Sequence, residues 1–376
     1  MPTHAPASRL AFLDRLKTFA VVAVISGHAV MGYAEVGSWP YEEVREVVLS
    51  PTAEAVVSVL FVPPALFLMP LFFFIGGMLA PGSLARKGRR RFVVDRLRRF
   101  GVPVAFFALV LWPLCFWWVD RVAGSRLGLW QTFLEGDPFL DPGPLWFVLV
   151  LLFFSLGLAF WPWPPRRPSA EPSLSRVAWY VAAIAAGTFV LRLFYPLDSS
   201  QVLGLHLWQW ASCLGLFCLG ASAPGAWTSG VSRGLRRWAG RAALTGVLLI
   251  GVVVLLGGPF GYSEEQAAGG LHGAAGAMAV VEGLVTVGTS LWLVGLAAEH
   301  DQRRVRPPGR LARASARAAY GAYVVQAPVL IALAMALRPL PAPAEVKAPL
   351  LAALAVTASF GVAHLLVTRT PVGRVL

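Results

Sequence analysis

Apolar residues gather into about ten runs of roughly 18–25 residues, separated by short polar segments, and each run is long enough to cross a hydrocarbon layer of roughly 30 Å. The runs cover residues 18–36, 56–80, 100–119, 144–161, 178–195, 203–222, 242–260, 276–298, 318–337 and 348–368. Pro63, Pro64 and Pro70 interrupt the second, which is therefore expected to be kinked or broken; a bundle tolerates this where neighbouring helices resatisfy the backbone. The pattern predicts an all-α fold, a polytopic membrane bundle of about ten transmembrane helices. No fixed-period repeat is visible, and the one low-complexity stretch, Trp161–Pro168, reads as a stiff connector. The first run follows Asp14, Arg15 and Lys17 and has no small-residue cleavage site behind it, so no cleavable signal peptide is expected.

Composition agrees. Of 376 residues, 57% are hydrophobic and only 14% charged, and mean hydropathy is +0.66. A soluble domain carries about 25% charged and about 45–50% apolar residues. Fourteen Trp and 23 Phe exclude a disordered chain. Cys115, Cys213 and Cys218 all fall inside apolar runs, where they read as small core residues and not as a disulfide framework. The chain has no Asn, hence no N-glycosylation acceptor. Its bias of 29 Arg to three Lys points to a GC-rich genome, and with it to a multi-pass protein of a bacterial inner membrane.

Charge then orients the spans. The N-terminus and every second loop together hold 26 of the 32 Lys and Arg, and the other loops hold five; 13 of the 19 acidic residues lie in the second set. The positive-inside rule places the first set, and both termini, in the cytoplasm. The chain thus reads as one domain over residues 1–376, with a cytoplasmic segment 1–17, a bundle over 18–368 and a tail at 369–376. A pI of about 10.6 needs no nucleic-acid partner, because the excess is topogenic and suited to anionic lipid. One segment, residues 81–99, holds eight basic residues in nineteen. From Arg89 its apolar positions Phe92, Val93, Leu97 and Phe100 recur at helical spacing. A short interfacial helix is expected there, its arginines facing headgroups or a phosphorylated ligand.

Ionisable residues inside a bilayer are costly and mark candidate sites. In the first span Lys17 and His28 are eleven residues apart, about three turns, which puts both on one helix face with a rise of about 16 Å. Asp14 lies near the same face. A carboxylate and a cation thus sit at the cytoplasmic mouth, with an imidazole midway across. Such a His reads either as a general base near neutral pH or as a structural group bonded to a neighbouring helix. Arg192 and Glu282 lie inside other spans and either pair with each other or line a cavity. His4, His206, His272, His300 and His364 form no pair with ligand spacing, so no metal site is expected.

These residues resemble the acyltransferase-3 family of integral membrane enzymes. The similar elements are Leu13-Asp14-Arg15-Leu16-Lys17 with ten residues to His28, the aromatic run Phe72–Leu79, and Arg96-Leu97-Arg98-Arg99 followed by Val102-Pro103. Leu145-Trp146-Phe147 and the stretch from Ser315 through Tyr320 and Tyr323 add to them. Lys17 replaces the commoner Arg, Gly76 stands where Ser is usual, and Gln326 occupies a late His position, which removes any titrating group there. The short acidic first outer loop and the run Met69–Gly77 look most like the glucan-modifying branch. The resemblance implies an O-acyltransferase that takes acyl-CoA from the cytoplasm, with its phosphates at Arg96, Arg98 and Arg99. An acetyl or succinyl group would pass to a hydroxyl of an exported glycan or related acceptor. His28 would be the base, directly or through an acyl-histidine, and Asp14 and Lys17 would fix the cytoplasmic entrance. Trp146, Tyr320, Tyr323 and Gln326 are candidates for the cavity wall, beside Arg192 and Glu282. No metal or redox cofactor is implied, and oligomeric state is left open. Ten spans with intramembrane charges also fit a solute transporter, and a non-catalytic membrane protein keeping the fold is a further alternative.

Overall fold

A computed structural model describes residues 11–34, 39–135, 140–162, 170–197, 199, 202–257, 263–303 and 308–375. Residues 1–10 with His4, the end of the first expected span and most of the connector 161–168 lie outside these residues. The described part is an all-α membrane bundle, 83% helical with no strand. Its longer helices are α1 (Ala11–Met31), α2 (Pro51–Lys87), α3 (Arg89–Val122), α4 (Trp146–Phe160), α5 (Leu174–Arg192), α6 (Trp210–Ser222), α7 (Arg233–Gly257), α8 (Gly273–Arg303), α9 (Arg310–Leu337) and α10 (Ala344–Arg369). Each expected span falls on one of them. Among the described residues seven are long and apolar enough to cross a membrane: α2, α3, α4 with its preceding turn, α5, α8, α9 and α10. The other three depart from a plain apolar run. Asp14, Arg15 and Lys17 open α1, α6 has only 13 residues, and four arginines crowd the start of α7.

The second span is not broken. α2 runs through Pro63, Pro64, Pro70 and Pro81 as one helix, so of the two expected outcomes, a kink or a break, the break does not occur, and the reason is local. Pro70 has no N–H to give the carbonyl four residues back, at Leu66. Thr286 Oγ1 of α8 donates to that carbonyl at 3.2 Å, and Gln209 Nε2 donates to the adjacent Ala65 carbonyl at 3.1 Å. α2 and α6 then approach backbone to backbone. A Cβ on Gly77 would collide with the Phe217 carbonyl, and one on Gly220 with that of Phe74, a small-residue contact of the kind that lets membrane helices pack closely.

The interfacial helix expected from Arg89 is instead the start of α3. Gly88, at φ +73°, makes a one-residue turn out of α2. α3 contains two π-turns, Leu97–Gly101 and Phe107–Leu111, each closed by an i to i−5 bond and each lying just before a proline, Pro103 and Pro113. Pro103 leaves the Arg99 carbonyl without its helical donor, and Tyr320 of α9 supplies one at 2.8 Å.

Two apolar cores meet along α1 and α2. One holds the middle and outer part of α1 with α3, α4, α9 and α10; the other holds the start of α1 with α5 to α8. Ion pairs respect the charge-derived sides. Arg15–Asp301, Lys87–Asp95 and Arg236–Glu299 join groups assigned to the cytoplasm, whereas Glu46 with Lys347 and Arg338 joins groups assigned outside. On that outer side residues 39–50 clasp α9 and α10. The Tyr41 hydroxyl donates to Glu46 Oε2 at 2.6 Å, Lys347 donates to Glu46 Oε1, and Ser50 N donates to Glu345 Oε1 at 2.9 Å.

Partial burial raises the Glu46 carboxyl, but hydrogen bonds from Lys347 and Tyr41 outweigh it and hold the group below its ordinary value of 4.5. A depressed carboxyl contributes stability above its unfolded value and loses it as pH falls through the folded one. The thermal midpoint of wild type should therefore exceed that of Glu46→Gln at pH 7, and the gap should shrink on acidification below about pH 4.5. A gap unchanged with pH would refute the clasp's ionic character.

Candidate active site

α1 carries the expected polar stripe. At its N-terminal end Lys17 Nζ donates to Asp14 Oδ1 at 3.0 Å, with both side chains partly exposed. Three turns on, His28 Nδ1 lies 3.2 Å from Gln326 Oε1, and the imidazole stacks on Trp39 with centroids 4.6 Å apart and planes 15° apart. Trp39 is held there in turn. It packs 5.9 Å from Trp112, whose Nε1 donates at 2.8 Å to Asp141, and Asp141 also accepts from Gly143 N at 2.8 Å. Burial raises the Asp141 carboxyl, against the pull of those two bonds.

Between the mouth and His28 lies a cavity of about 480 Å³. Its basic rim carries Lys17, Arg96, Arg99 and Arg317, and Tyr320, Gly76 and Ser155 line its flank. The guanidinium of Arg96 is sandwiched between the Phe92 and Phe100 rings, 4.9 and 5.1 Å from their centroids. Among the described residues Arg96, Arg99 and Arg317 form no ion pair, although Asp95 is within Coulombic reach of Arg96. Arg98 is exposed and not part of the wall: one residue of helix separates it by about 100° from Arg99. Arg317 is the cation the sequence reading missed. Its signal was present, since it lies three residues before Tyr320 and so on the same face of α9.

Toward His28 the cavity ends on three rings. Phe72 to Phe147 is 5.2 Å, Phe147 to Tyr323 is 4.8 Å edge to face, and Phe72 to Tyr323 is 6.4 Å. The Tyr323 hydroxyl donates to the Pro144 carbonyl, which fixes its ring. One turn beyond Tyr323 stands Gln326, fully buried. Trp146 lies on the outer side, 4.8 Å from His206. His206 adopts a left-handed backbone at φ +46° and lies within electrostatic range of His28, a strained conformation for a non-glycine residue. It is a second imidazole near the first that spacing along the chain did not reveal.

Arg192 and Glu282 do not line the cavity. They form a fully buried ion pair between α5 and α8, Glu282 also accepts from Ser212 of α6, and Arg192 lies over the Trp208 ring at 5.5 Å. Desolvation forces the two charges together away from the site. Among the described residues no group of three or more His, Cys, Asp or Glu gathers to hold a metal. Cys115 and Cys213 are buried, Cys218 is exposed, and all three are free thiols.

A family model described as an acyltransferase domain, that of acyltransferase-3, matches residues 10–368, nearly the whole chain. No curated protein matches, and no solved structure matches.

The buried pair generates a test. Arg192→Leu leaves Glu282 charged and unpartnered and should destabilise the bundle by about 3–5 kcal/mol. The double variant Arg192→Leu with Glu282→Leu should lose much less in the same denaturation assay in detergent. Equal losses would mean that the pair is not coupled.

Proposed function

The chain belongs to the acyltransferase-3 family, and from that membership we propose that it is an O-acyltransferase of a bacterial inner membrane. It takes acyl-CoA from the cytoplasm and esterifies a hydroxyl of an exported glycan or related acceptor. The observation that carries this reading is the cavity, with cations at its cytoplasmic rim and an imidazole past its inner end. Guanidinium groups without an ion pair, one of them (Arg96) held between two rings, are matched to phosphate, which they bind in planar, bidentate fashion. The nucleotide phosphates of the donor would rest on Arg96, Arg99 and Arg317, with Lys17 held in place by Asp14. The uncharged pantetheine arm can enter the apolar depth at little desolvation cost, and the rise of about 16 Å from Lys17 to His28 suits its length.

His28 is the base in this reading. With Nδ1–H donating to Gln326 Oε1, Nε2 is left free to take the acceptor's proton. The hydroxyl oxygen attacks the thioester carbonyl, the C–S bond breaks, and the proton passes from Nε2 to the leaving sulfur. An acyl-histidine route would use the same atom first as nucleophile. The transporter alternative drew on Arg192 and Glu282 as pathway residues. Their closure into a buried pair, with a Ser hydroxyl on the free carboxylate oxygen, leaves them a structural role.

Thermal stabilisation of purified protein by acetyl-CoA, succinyl-CoA and free CoA tests donor binding without knowledge of the acceptor. A ligand at a hundredfold excess over Kd adds about 2.7 kcal/mol. Arg99→Ala and Arg317→Ala should each weaken binding about tenfold, whereas Arg98→Ala should have little effect. No stabilisation by any thioester in folded protein would overturn the proposal. His28→Ala should abolish acyl transfer and keep donor binding; persistent transfer would sink the mechanism.

A further inference from the structure

Gln326 occupies a position that the mechanism above leaves half used. Its side chain is completely buried, its Oε1 faces His28 Nδ1 at 3.2 Å, and its Nε2 has no hydrogen-bond partner among the described residues. A buried amide donor without a partner is rare in a folded chain. The two amide orientations are distinguishable by their chemistry. With Oε1 toward the ring, Nδ1 holds the proton and Nε2 of His28 is free. The flipped amide would fix the other tautomer, protonate the only open ring nitrogen and leave no base.

We infer that Gln326 is a bifunctional group of the active centre, fixing the reactive tautomer of His28 through Oε1 while its free Nε2 donates to the acyl carbonyl oxygen as that oxygen becomes charged. The placement favours the thioester over the acceptor. Gln326 lies one helical turn past Tyr323, whose ring lines the cavity, and it meets His28 at 3.2 Å, so it links the cavity's aromatic end to the base along α9. A donor preset at that point, on a fully buried side chain, stabilises a developing oxyanion far more than it would in bulk solvent. The step balances without a further reactant. The acceptor proton moves to His28 Nε2, a C–O bond forms, the oxyanion rests on Gln326 Nε2–H, the C–S bond breaks, and the thiolate recovers the proton. The inference rests on the acyltransferase reading and adds to it a role at a position where a titrating residue is absent.

The groups that face His28 define what a substitution there reads. Trp39 covers one ring face, Gln326 meets Nδ1 from α9, His206 is the titratable neighbour from the segment before α6, and Lys17 with Asp14 lies three turns down α1. Gln326→Glu keeps an acceptor for Nδ1–H but loses the donor and adds a negative charge beside the ring. Gln326→Leu loses both functions.

Both variants are to be compared with wild type in inside-out membrane vesicles given radiolabelled acetyl-CoA. The readouts are label transferred to envelope material, half-saturation by acetyl-CoA, and rate as a function of pH. Gln326→Leu should transfer at least 30-fold more slowly with half-saturation changed less than threefold. Gln326→Glu should lose at least tenfold at its optimum, and the acid limb of its pH profile should move up by a unit or more, because the carboxylate favours the imidazolium. A structural role alone would lower thermal stability and leave the acid limb in place. The inference is overturned if Gln326→Leu retains more than half the wild-type rate, or if Gln326→Glu keeps the wild-type acid limb. The Glu variant, close in size, decides the matter where the Leu variant fails to fold. Wild-type vesicles that neither transfer label nor contain protein stabilised by acetyl-CoA would overturn the acyltransferase reading and this inference together; active wild type with unaltered variants overturns the inference alone.

Discussion

A helix in hydrocarbon has no water to fall back on, so a carbonyl that loses its helical donor must find another inside the protein. Much of this bundle's arrangement follows from that requirement. Pro70 frees the Leu66 carbonyl, and Thr286 reaches across from α8 to meet it. Pro103 frees the Arg99 carbonyl, and Tyr320 reaches across from α9. Each contact fixes one helix against another at a defined height. The second also fixes the active site, because it sets the turn bearing Arg96 and Arg99 against the turn bearing Arg317 and Tyr320. The rim of the cavity is thus aligned by a tyrosine hydroxyl bonded to a backbone carbonyl that a proline left free.

The fold was largely legible because hydrocarbon thickness imposes a length on apolar runs, and each of the ten runs became part of a helix. The charge asymmetry was legible for a similar reason, and ion pairs such as Arg15–Asp301 and Lys347–Glu46 keep to their assigned sides. What the sequence hid was set by partners distant along the chain. The intact α2 depends on donors at positions 209 and 286, and the continuity of α3 with its basic start depends on a single φ at Gly88. At the site, the vertical order of Lys17 and His28 could be read from helical rise. The exclusion of Arg98 could not, because a π-turn over Leu97–Gly101 shifts the angular register that spacing arguments assume, whereas Arg317 was readable from its spacing to Tyr320. Trp39 and His206 were invisible as site residues, since loops bring them to His28.

The site also separates tasks by dielectric. In the proposed reading, phosphate charge would stay at the rim, where cations and solvent share it, while the neutral thioester would be the part that meets the rings of Phe72, Phe147 and Tyr323. Placing the reaction beyond those rings, as proposed, would strengthen every dipole aimed at the reacting carbonyl. It also makes any permanent charge there expensive.

That cost bears on the choice of an amide at position 326. A carboxylate against Nδ1 would hold the imidazole as a cation in such surroundings, and a protonated base cannot accept from a hydroxyl. A second imidazole could change its own protonation and exchange tautomers with the first. A glutamine does neither: its acceptor orients the ring without charging it, and its donor is fixed by the same bond that orients the ring. In the proposed mechanism the neutral partner would therefore keep His28 competent as a base across the pH range in which the ring itself is unprotonated, and leave charge to develop only where the transition state creates it.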